Sequence, residues 1–366
     1  MLDRVISSRP YIEVDGDQPE LMNALLTGFT MTETLCGPVQ VELRLSNAAH
    51  HAGAGAAFAF EFTETETLPL GKAFRVLFPS LDPAAEDRTP REIFAGRVSA
   101  LEFVSGEDGQ PELWVQGEDA LMAWRMRRRT RVFDQDTVAA MLTSLAAGDA
   151  LARPVIDYLN DPTPHRHQVN ESDLAFLQRL LADHDAVAQV VDGTLQIGPR
   201  ADLHRGDITL ELGLTLISVQ ATADLAHQRS RVSLSGWDGI DGEAFRAEMT
   251  TAALGPGQGR AGMEYLEPFG NTAEHLAGAG VPDQTTGDVL INAHGAARAR
   301  RFVVARGEAI GNPALRVGAH LTLEGIGARF SNTYQVVSTC HRFDTRAGYI
   351  TEFEAECAYF NGEAAT

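Results

Sequence analysis

The feature that most constrains this chain is a short pattern that occurs twice, once in the first quarter and once near the end. Residues 70–76 read LGKAFRV and residues 317–323 read VGAHLTL. In each copy a glycine follows an apolar residue, and two further apolar residues then alternate with other residues. This pattern is typical of a turn that opens a half-buried strand. A fold that repeats within the chain is therefore the first hypothesis.

The residues around the two copies follow the same order of strands and turns. The matching pairs are the strands opened by Phe94 and Phe330, the polar turns at 106–109 and 344–348, the returning strands Leu113–Val115 and Tyr349–Phe353, and the leading strands Phe58–Phe60 and Phe302–Val304. We interpret them as two similar antiparallel, tube-like β-barrels, with the closing strand at Tyr349 pairing with the strand near Tyr334. The predicted fold class is mainly β with minor α (α+β).

The composition and charge are those of a folded protein that is not expected to bind nucleic acid. Of the 366 residues, 44% are hydrophobic and 22% are charged, which is ordinary for a globular chain. The formal net charge of -20 at pH 7 repels phosphate backbones, so we expect no specific nucleic-acid binding. We therefore interpret the arginines crowded at 125–131 as a solvated face or as a rim that pairs with acidic groups.

Neither a membrane anchor nor a disulfide framework is expected. No apolar run approaches the roughly 20 residues of a membrane span, and the N-terminus lacks the basic start and apolar core of a signal peptide. The chain is therefore expected to start in the cytoplasm after synthesis. Three scattered cysteines, Cys36, Cys340 and Cys357, are too few for a framework, and we expect them to be free core residues.

The middle of the chain predicts a small module of helices and a hairpin. One helix is capped by Asp136 and ends near Gly148, and its apolar face comprises Val138, Met141, Leu142 and Leu145. A second helix begins at Asn170, and Leu174, Leu177 and Leu181 form its apolar stripe. Two strands, Ala186–Val191 and Thr194–Ile197, follow and are joined by Asp192-Gly193, a strong hairpin signal.

Three domains follow from these elements. Residues 1–125 form the first β-barrel, 126–205 the helical and α/β hairpin module, and 206–366 the second β-barrel with an excursion at about 239–295. The excursion is rich in glycine and alanine and shows little periodicity. Asp288–Ala299 is expected to form the helix that leads back into the barrel. The insert 82–91 contains two prolines and predicts a loop.

No motif associated with chemistry is complete. The glycines of GPGQGRAG (Gly255, Gly257, Gly259 and Gly262) lack the Lys-Ser/Thr of a phosphate loop and predict a mobile loop. His165-Arg166-His167 lacks a third metal ligand and predicts a loop, and Asp238–Glu243 predicts a turn rather than a calcium site. Glu64 and Glu66 lie at the polar end of a predicted strand, and without a pocket this acid pair does not indicate a glycosidase. We therefore expect no catalytic residue, no cofactor and no metal.

A resemblance to a known family covers most of the chain. Residues 170–198 (NESDLAFLQRLLADHDAVAQVVDGTLQIG) resemble the helix and Asp-Gly hairpin of the phage late control D family, and VSLSGWD resembles its strand ending in Gly-Trp-Asp. Residues 302–354 resemble its closing barrel. Members of this family are hub proteins of contractile tails, similar in fold to the hub part of type VI secretion VgrG spike proteins.

The resemblance implies a non-enzymatic baseplate hub of a contractile phage tail or related contractile injection system, assembled in the bacterial cytoplasm. The implied partners are two further copies in a homotrimer, the tail tube ring, the central spike protein and baseplate wedge proteins. A trimer of chains with two barrels each presents six similar barrels to a hexameric tube and three chains to a trimeric spike. No spike-like repeat follows Phe360, so the puncturing tip is expected to be another chain.

Two other classes stay open. A β-rich cell-envelope glycan hydrolase would need a cleft with paired acids, and a ligand-binding barrel protein would be a monomer. For the hub, the summed negative charge of three chains predicts an acidic or neutral channel.

Overall fold

The computed structural model describes residues 9–51, 58–63, 67–78, 90–105, 110–134, 137–147, 152–156, 158–160, 165–249, 254–270, 272–278 and 280–361. The strands are β1 (Tyr11–Glu13), β2 (Leu26–Thr34), β3 (Gln40–Ser46), β4 (Ala49–His51), β5 (Phe58–Phe60), β6 (Ala73–Phe78), β7 (Arg91–Val104), β8 (Glu112–Glu118), β9 (Arg128–Phe133), β10 (Ala152–Ile156), β11 (Arg166–Ser172), β12 (Ala186–Val191), β13 (Thr194–Pro199), β14 (Asp207–Glu211), β15 (Leu216–Ala223), β16 (Val232–Asp238), β17 (Glu243–Glu248), β18 (Arg260–Ala261), β19 (Glu274–Leu276), β20 (Val303–Ile310), β21 (His320–Glu324), β22 (Thr333–Asp344), β23 (Gly348–Cys357) and β24 (Tyr359–Phe360).

The α-helices are α1 (Glu20–Leu25), α2 (Leu121–Met126), α3 (Val138–Ala146), α4 (Asp173–Ala182) and α5 (Gln284–Arg300). Within the described ranges, three short 3-10 helices span Arg200–Asp202, Gly262–Tyr265 and Glu267–Phe269. The mainly β class with few helices is confirmed. None of the described helices is both long enough and apolar enough to cross a membrane.

Two sets of six strands have the same order in space and along the chain. The first set runs β1-β6-β7-β8-β3-β2, and the second runs β14-β21-β22-β23-β20-β15. Their irregularities also coincide. The β7–β8 register shifts between Val98 and Ala100, as the β22–β23 register shifts between Val336 and Ser338. The glycine pattern of residues 70–76 and 317–323 therefore belongs to a repeat that reaches from β1 to β23.

The turns that carry the repeated glycine make the same hydrogen bond. Gly71 N donates to Val98 O, and Gly318 N donates to Val336 O, both at 2.8 Å. Both glycines adopt a positive φ, of 81° and 87°, a conformation that strongly favours glycine. This shared backbone requirement explains why the sequence pattern was visible.

Two expectations about the barrels are corrected. The counterpart of β20 is β3 and not the strand at Phe58, because β3 pairs with β8 as β20 pairs with β23, whereas β5 pairs with β4 in a separate hairpin. Neither six-strand set closes into a barrel among the described residues. The later half of β22 instead pairs with β2, which joins both sets in one twelve-stranded sheet.

One face of this sheet covers two hydrophobic cores. The first core includes Phe29, Phe74, Phe78 and Phe94, and the second includes Tyr334 and Phe353. As predicted, β23 pairs with the strand near Tyr334, and Phe353 is buried. The opposite face carries polar residues. Alternation in the strands therefore produces one apolar and one polar face across both sets.

The middle module has its own core, formed by α2, α3, α4 and the strands β12 and β13. The hairpin is confirmed, and Asp192 and Gly193 take the positive φ values of a tight turn. Helix α4 begins at Asp173 rather than at Asn170, because Ser172 Oγ accepts the hydrogen bond from Ala175 N. Thr137 caps α3, and the predicted cap Asp136 and end Gly148 lie outside the described residues.

The excursion is more regular than predicted. Strands β17, β16 and β19 form a small sheet, and α5 packs against it. Asp283 caps α5, so this helix begins before the expected Asp288. The predicted loop at 82–91 lies outside the described residues except for Pro90 and for Arg91, which begins β7.

Candidate assembly surface

The two six-strand sets meet at one seam, where β2 pairs with the later half of β22. The register runs from Gly28 opposite Asp344 to Thr34 opposite Ser338. On the apolar face Phe29 lies opposite Phe343, and the ring of Phe78 stacks on Tyr349 with centroids 4.0 Å apart. The seam is therefore a continuous ladder with aromatic packing beneath it.

A buried ionic cluster lies under the seam and joins three distant parts of the chain. Glu33 of β2 accepts hydrogen bonds from Arg316 Nε at 2.8 Å, from Val317 N at 3.1 Å and from Arg205 Nη1 at 2.7 Å. Burial alone would raise the pKa of Glu33, but the charges of Arg316 and Arg205 outweigh it and lower the pKa to about 2. Glu33 is therefore ionised, and its position is set by all three segments.

A buried histidine adjoins this cluster. His341 Nδ1 lies 2.8 Å from the Tyr349 hydroxyl and 3.2 Å from Thr351 Oγ1. Burial and the charge of Arg316 lower the pKa of His341 to about 3. The imidazole is therefore neutral, and Arg316 and Arg205 are the positive charges that face Glu33.

The polar face of the sheet is rich in threonine and charge-paired. Thr30 and Thr32 of β2 lie on it, opposite Arg342 and Cys340. Its ion pairs are Arg44–Glu42 at 2.9 Å, Arg306–Glu354 at 2.7 Å and Arg342–Glu352 at 2.6 Å. Arginines held by carboxylates leave little net attraction for a polyanion.

The strands that pair on one side only among the described residues include β15 and the later half of β7. β15 pairs with β20 on one side only, and β7 beyond Val98 pairs with β8 on one side only. Large apolar side chains stand exposed at these edges, with Leu101 at 40%, Phe103 at 47% and Ile217 at 49%. Open edges with apolar side chains are typical of surfaces that pair with another chain.

The arginines at 125–131 are used within the chain. The carboxylate of Asp173 is fully buried, and it is approached by Arg127 at 3.6 Å, Arg129 at 3.4 Å and Arg131 at 2.9 Å. Arg125 pairs with Glu118 at 2.6 Å. The interpretation as groups that pair with acids is thus confirmed for these four side chains, and the acids belong to the same chain.

The remaining motifs that were considered for chemistry belong to loops, strands and turns of the fold. Gly257 and Gly259 have positive φ values, and a Cβ on either would meet the C-terminal strands at 2.5 and 2.4 Å, so this loop packs closely on the body. Arg166 and His167 lie in β11 rather than in a loop. Asp238 Oδ1 accepts from Ile240 N and Asp241 N, which confirms the turn. Glu64 and Glu66 lie outside the described residues.

The three cysteines are free, with Cys357 buried and the other two half-buried. Glu33, Arg205 and Arg316 were not predicted from the sequence, because no local pattern links residues so far apart. The only sequence signal is a charged residue inside an apolar strand, at Glu33 in LTGFTMTET. Such a residue needs a buried partner.

A comparison with protein families gives a match to this chain. The family model of the Alg8 N-terminal domain matches residues 86–344. The chain belongs to this family. None of the curated proteins compared with the sequence matches it.

Solved structures share the fold at low sequence identity. A 43 kDa tail protein of prophage MuSo2 from Shewanella oneidensis is 13% identical, with a TM-score of 0.66 over 95% of this chain and 98% of that one. A tail protein from Neisseria meningitidis MC58 is 11% identical, with a TM-score of 0.64 over 96% and 99%. The E. coli c3393 protein, a type VI secretion component, is 12% identical, with a TM-score of 0.56 over 96% and 79%. This chain therefore has the fold of these tail and secretion-system proteins.

Proposed function

We propose that this chain is a non-enzymatic baseplate hub of a contractile phage tail or related injection system, of the late control D type. In this role it is a homotrimer that joins a hexameric tail tube to a trimeric spike. The shared fold with tail proteins and a type VI secretion component supports the setting. The observation that carries the proposal is the seam at β2 and β22 together with two open edges of the same kind.

The repeat supports an assignment of the open edges of β15 and β7 to the two sides of a second, intersubunit seam. By strand order β15 is the counterpart of β2, and β7 is the counterpart of β22. Within one chain, β2 pairs with the later half of β22. The remaining β15 then pairs with the later half of β7 in the neighbouring subunit. The interface thus repeats a contact that the chain already makes internally.

The coincident bulges fix the register of this contact. Thr32 corresponds to Thr222, and Cys340 corresponds to Glu102, when the strands are aligned on their partners and bulges. Since Thr32 lies opposite Cys340, Thr222 lies opposite Glu102 of the next subunit. By the same alignment Ala221 lies opposite Phe103. The Phe103 ring packs edge-on against Phe60 and is 47% exposed, and Ala221 of the next subunit would cover part of the exposed surface.

Ring closure follows from repeating the two seams. The path β7-β8-β3-β2-β22-β23-β20-β15 contains eight strands of one chain. Three chains joined end to end give a ring of twenty-four strands with six similar units. This closure satisfies backbone groups that a single chain leaves open at both ends. It also gives a reason why neither set closes into a barrel by itself.

The polar face of the sheet would line the channel. The two cores lie on the other face, and Asp173 and Glu118 hold four of the arginines of the 125–131 segment. The channel wall is therefore charge-paired and acidic or neutral, which lets cargo pass without binding. In this arrangement 1–125 and 206–366 form the ring, 126–205 lies outside it, and the spike and wedge proteins contact the remaining surfaces.

The test is the oligomeric state of an edge variant. Mass photometry of the purified chain, alone and with tube and spike proteins, is expected to show a trimer. Phe103→Asp places a charge in the predicted interface and should leave only monomer, while its folded spectrum persists because Phe103 is half-exposed. Trp237→Asp is the matched control, since Trp237 is 63% exposed on the small sheet. A wild type that is monomeric under every condition, or a Phe103→Asp trimer, would overturn the proposal.

A further inference from the structure

A cluster of two histidines and one aspartate lies where the middle module joins the second sheet. His204 follows the 3-10 helix Arg200–Asp202, Asp207 begins β14, and His320 begins β21. β14 and β21 pair in parallel with Asp207 opposite His320. This pairing brings residues from two distant parts of the chain to one point on the surface.

The distances within the cluster suit a small cation. His204 Nε2 lies 3.0 Å from Asp207 Oδ1, and the rings of His204 and His320 are 4.4 Å apart. One ligand atom from each of the three residues lies within 4.8 Å of the others. A tetrahedral zinc ion with bonds of about 2.1 Å needs ligand atoms about 3.4 Å apart. The side chains of His204 and Asp207 are exposed by 47% and 80%, so they have room to rotate until the ligand atoms reach this spacing.

The state of His320 points to the same ligand. Its Nε2 atom is buried and has no hydrogen-bond partner. The ring is hydrogen-bonded to the backbone of Leu203. A neutral imidazole whose other nitrogen is held by a backbone group is the form in which histidine binds metals. An orphaned, buried ring nitrogen is otherwise costly.

We propose that His204, Asp207 and His320 bind one divalent transition-metal cation of the zinc class. A site with two imidazoles and one carboxylate favours zinc, because calcium and magnesium bind at sites made only of oxygen ligands. Water or a group from a partner fills the fourth position. The bound ion clips the segment after β13 to β21. Arg205, the neighbour of His204, donates to Glu33 in the ionic cluster, so the ion also anchors one arm of that cluster.

The experiment is titration of the metal-free full chain with Zn²⁺ by calorimetry, with Co²⁺ as a spectroscopic probe. We expect one Zn²⁺ per chain, a visible Co²⁺ spectrum of low-symmetry coordination, and no response to Mg²⁺. His320→Ala and Asp207→Asn are each expected to weaken Zn²⁺ binding at least about 100-fold. Asp207 is mostly exposed, so its substitution leaves the fold intact.

His165→Ala is the matched control, because His165 forms an exposed pair with Asp134 at 2.7 Å and does not belong to the cluster of His204, Asp207 and His320. This variant should bind Zn²⁺ as the wild type does. A wild type that binds no Zn²⁺, or Asp207→Asn and His320→Ala variants that bind as tightly as the wild type, would overturn the proposal. The outcome is independent of whether the chain forms a trimer.

Discussion

Glu33→Gln tests the ionic cluster under the seam. The pKa of Glu33 is about 2 against an ordinary 4.5, and one pKa unit corresponds to about 1.4 kcal/mol. Ionised Glu33 therefore contributes about 3 kcal/mol to the free energy of unfolding at pH 7. Breaking a buried ion pair by removing one charge costs a similar amount, about 3 to 5 kcal/mol. The variant should lose about 3 kcal/mol at pH 7.

The pH dependence gives this prediction a second, independent part. Because the folded-state pKa is lowered, the stabilisation is complete above about pH 4.5 and is lost as the pH falls toward 2. The gap between wild type and Glu33→Gln should therefore close over this window, since wild-type Glu33 becomes protonated. Urea denaturation followed by tryptophan fluorescence, at one protein concentration, measures both effects.

Glu42→Gln is the control for this experiment. Glu42 pairs with Arg44 at 2.9 Å on the polar face, where both side chains are partly exposed. Exposed ion pairs contribute at most about 1 kcal/mol. If Glu33→Gln costs no more than Glu42→Gln at pH 7, or if its effect does not change with pH, the cluster does not hold the seam together.

Three further predictions concern the two sheet sets and the module. Phe353→Asp puts an unpaired charge into the second core at a cost of several kcal/mol; tail tubes that still seat normally on this variant, by electron microscopy, would contradict the role of that core. Asp173→Asn removes the carboxylate shared by three arginines, and calorimetry should show a melting temperature lower by several degrees. Burial lowers the pKa of His341 to about 3, so folding is opposed by protonation of the unfolded chain at any pH below about 6.5. As the pH decreases from there, the free energy of unfolding of the wild type should decrease more steeply than that of His341→Gln, by about 1.4 kcal/mol per pH unit. Equal slopes for the two proteins would contradict a buried, neutral His341.

The repeat was predictable because part of it depends on local chemistry. Gly71 and Gly318 need positive φ, and the alternating residues after them need one apolar face, so both leave a sequence signal. The leading strand was predicted wrongly because the two copies carry insertions at different places. The β4–β5 hairpin follows β3, whereas the excursion precedes β20. Phe58–Phe60 therefore occupied the expected position without having the expected partner.

The joining of the two six-strand sets through β2 and β22 was not predictable from local sequence patterns. A strand's alternation shows which face is buried but not which strand lies beside it. β2 pairs with a strand about 300 residues away, and the cluster of Glu33, Arg205 and Arg316 depends on that pairing. Likewise, the cap of α4 was ambiguous because Asn170, Ser172 and Asp173 can all cap a helix.

The most direct test of the hub proposal is a disulfide across the second seam. In the predicted register Thr222 lies opposite Glu102 of the next subunit, with Cα atoms about 4.5 to 5.5 Å apart, which is within disulfide range. The variant Thr222→Cys/Glu102→Cys, in a background without the native cysteines, should form covalent trimers under mild oxidation. Thr222→Cys/Leu101→Cys places the second thiol on the opposite face and should not. Covalent trimers from the first variant alone are the predicted result, and a first variant that stays uncross-linked, or a control that cross-links equally, would contradict the ring.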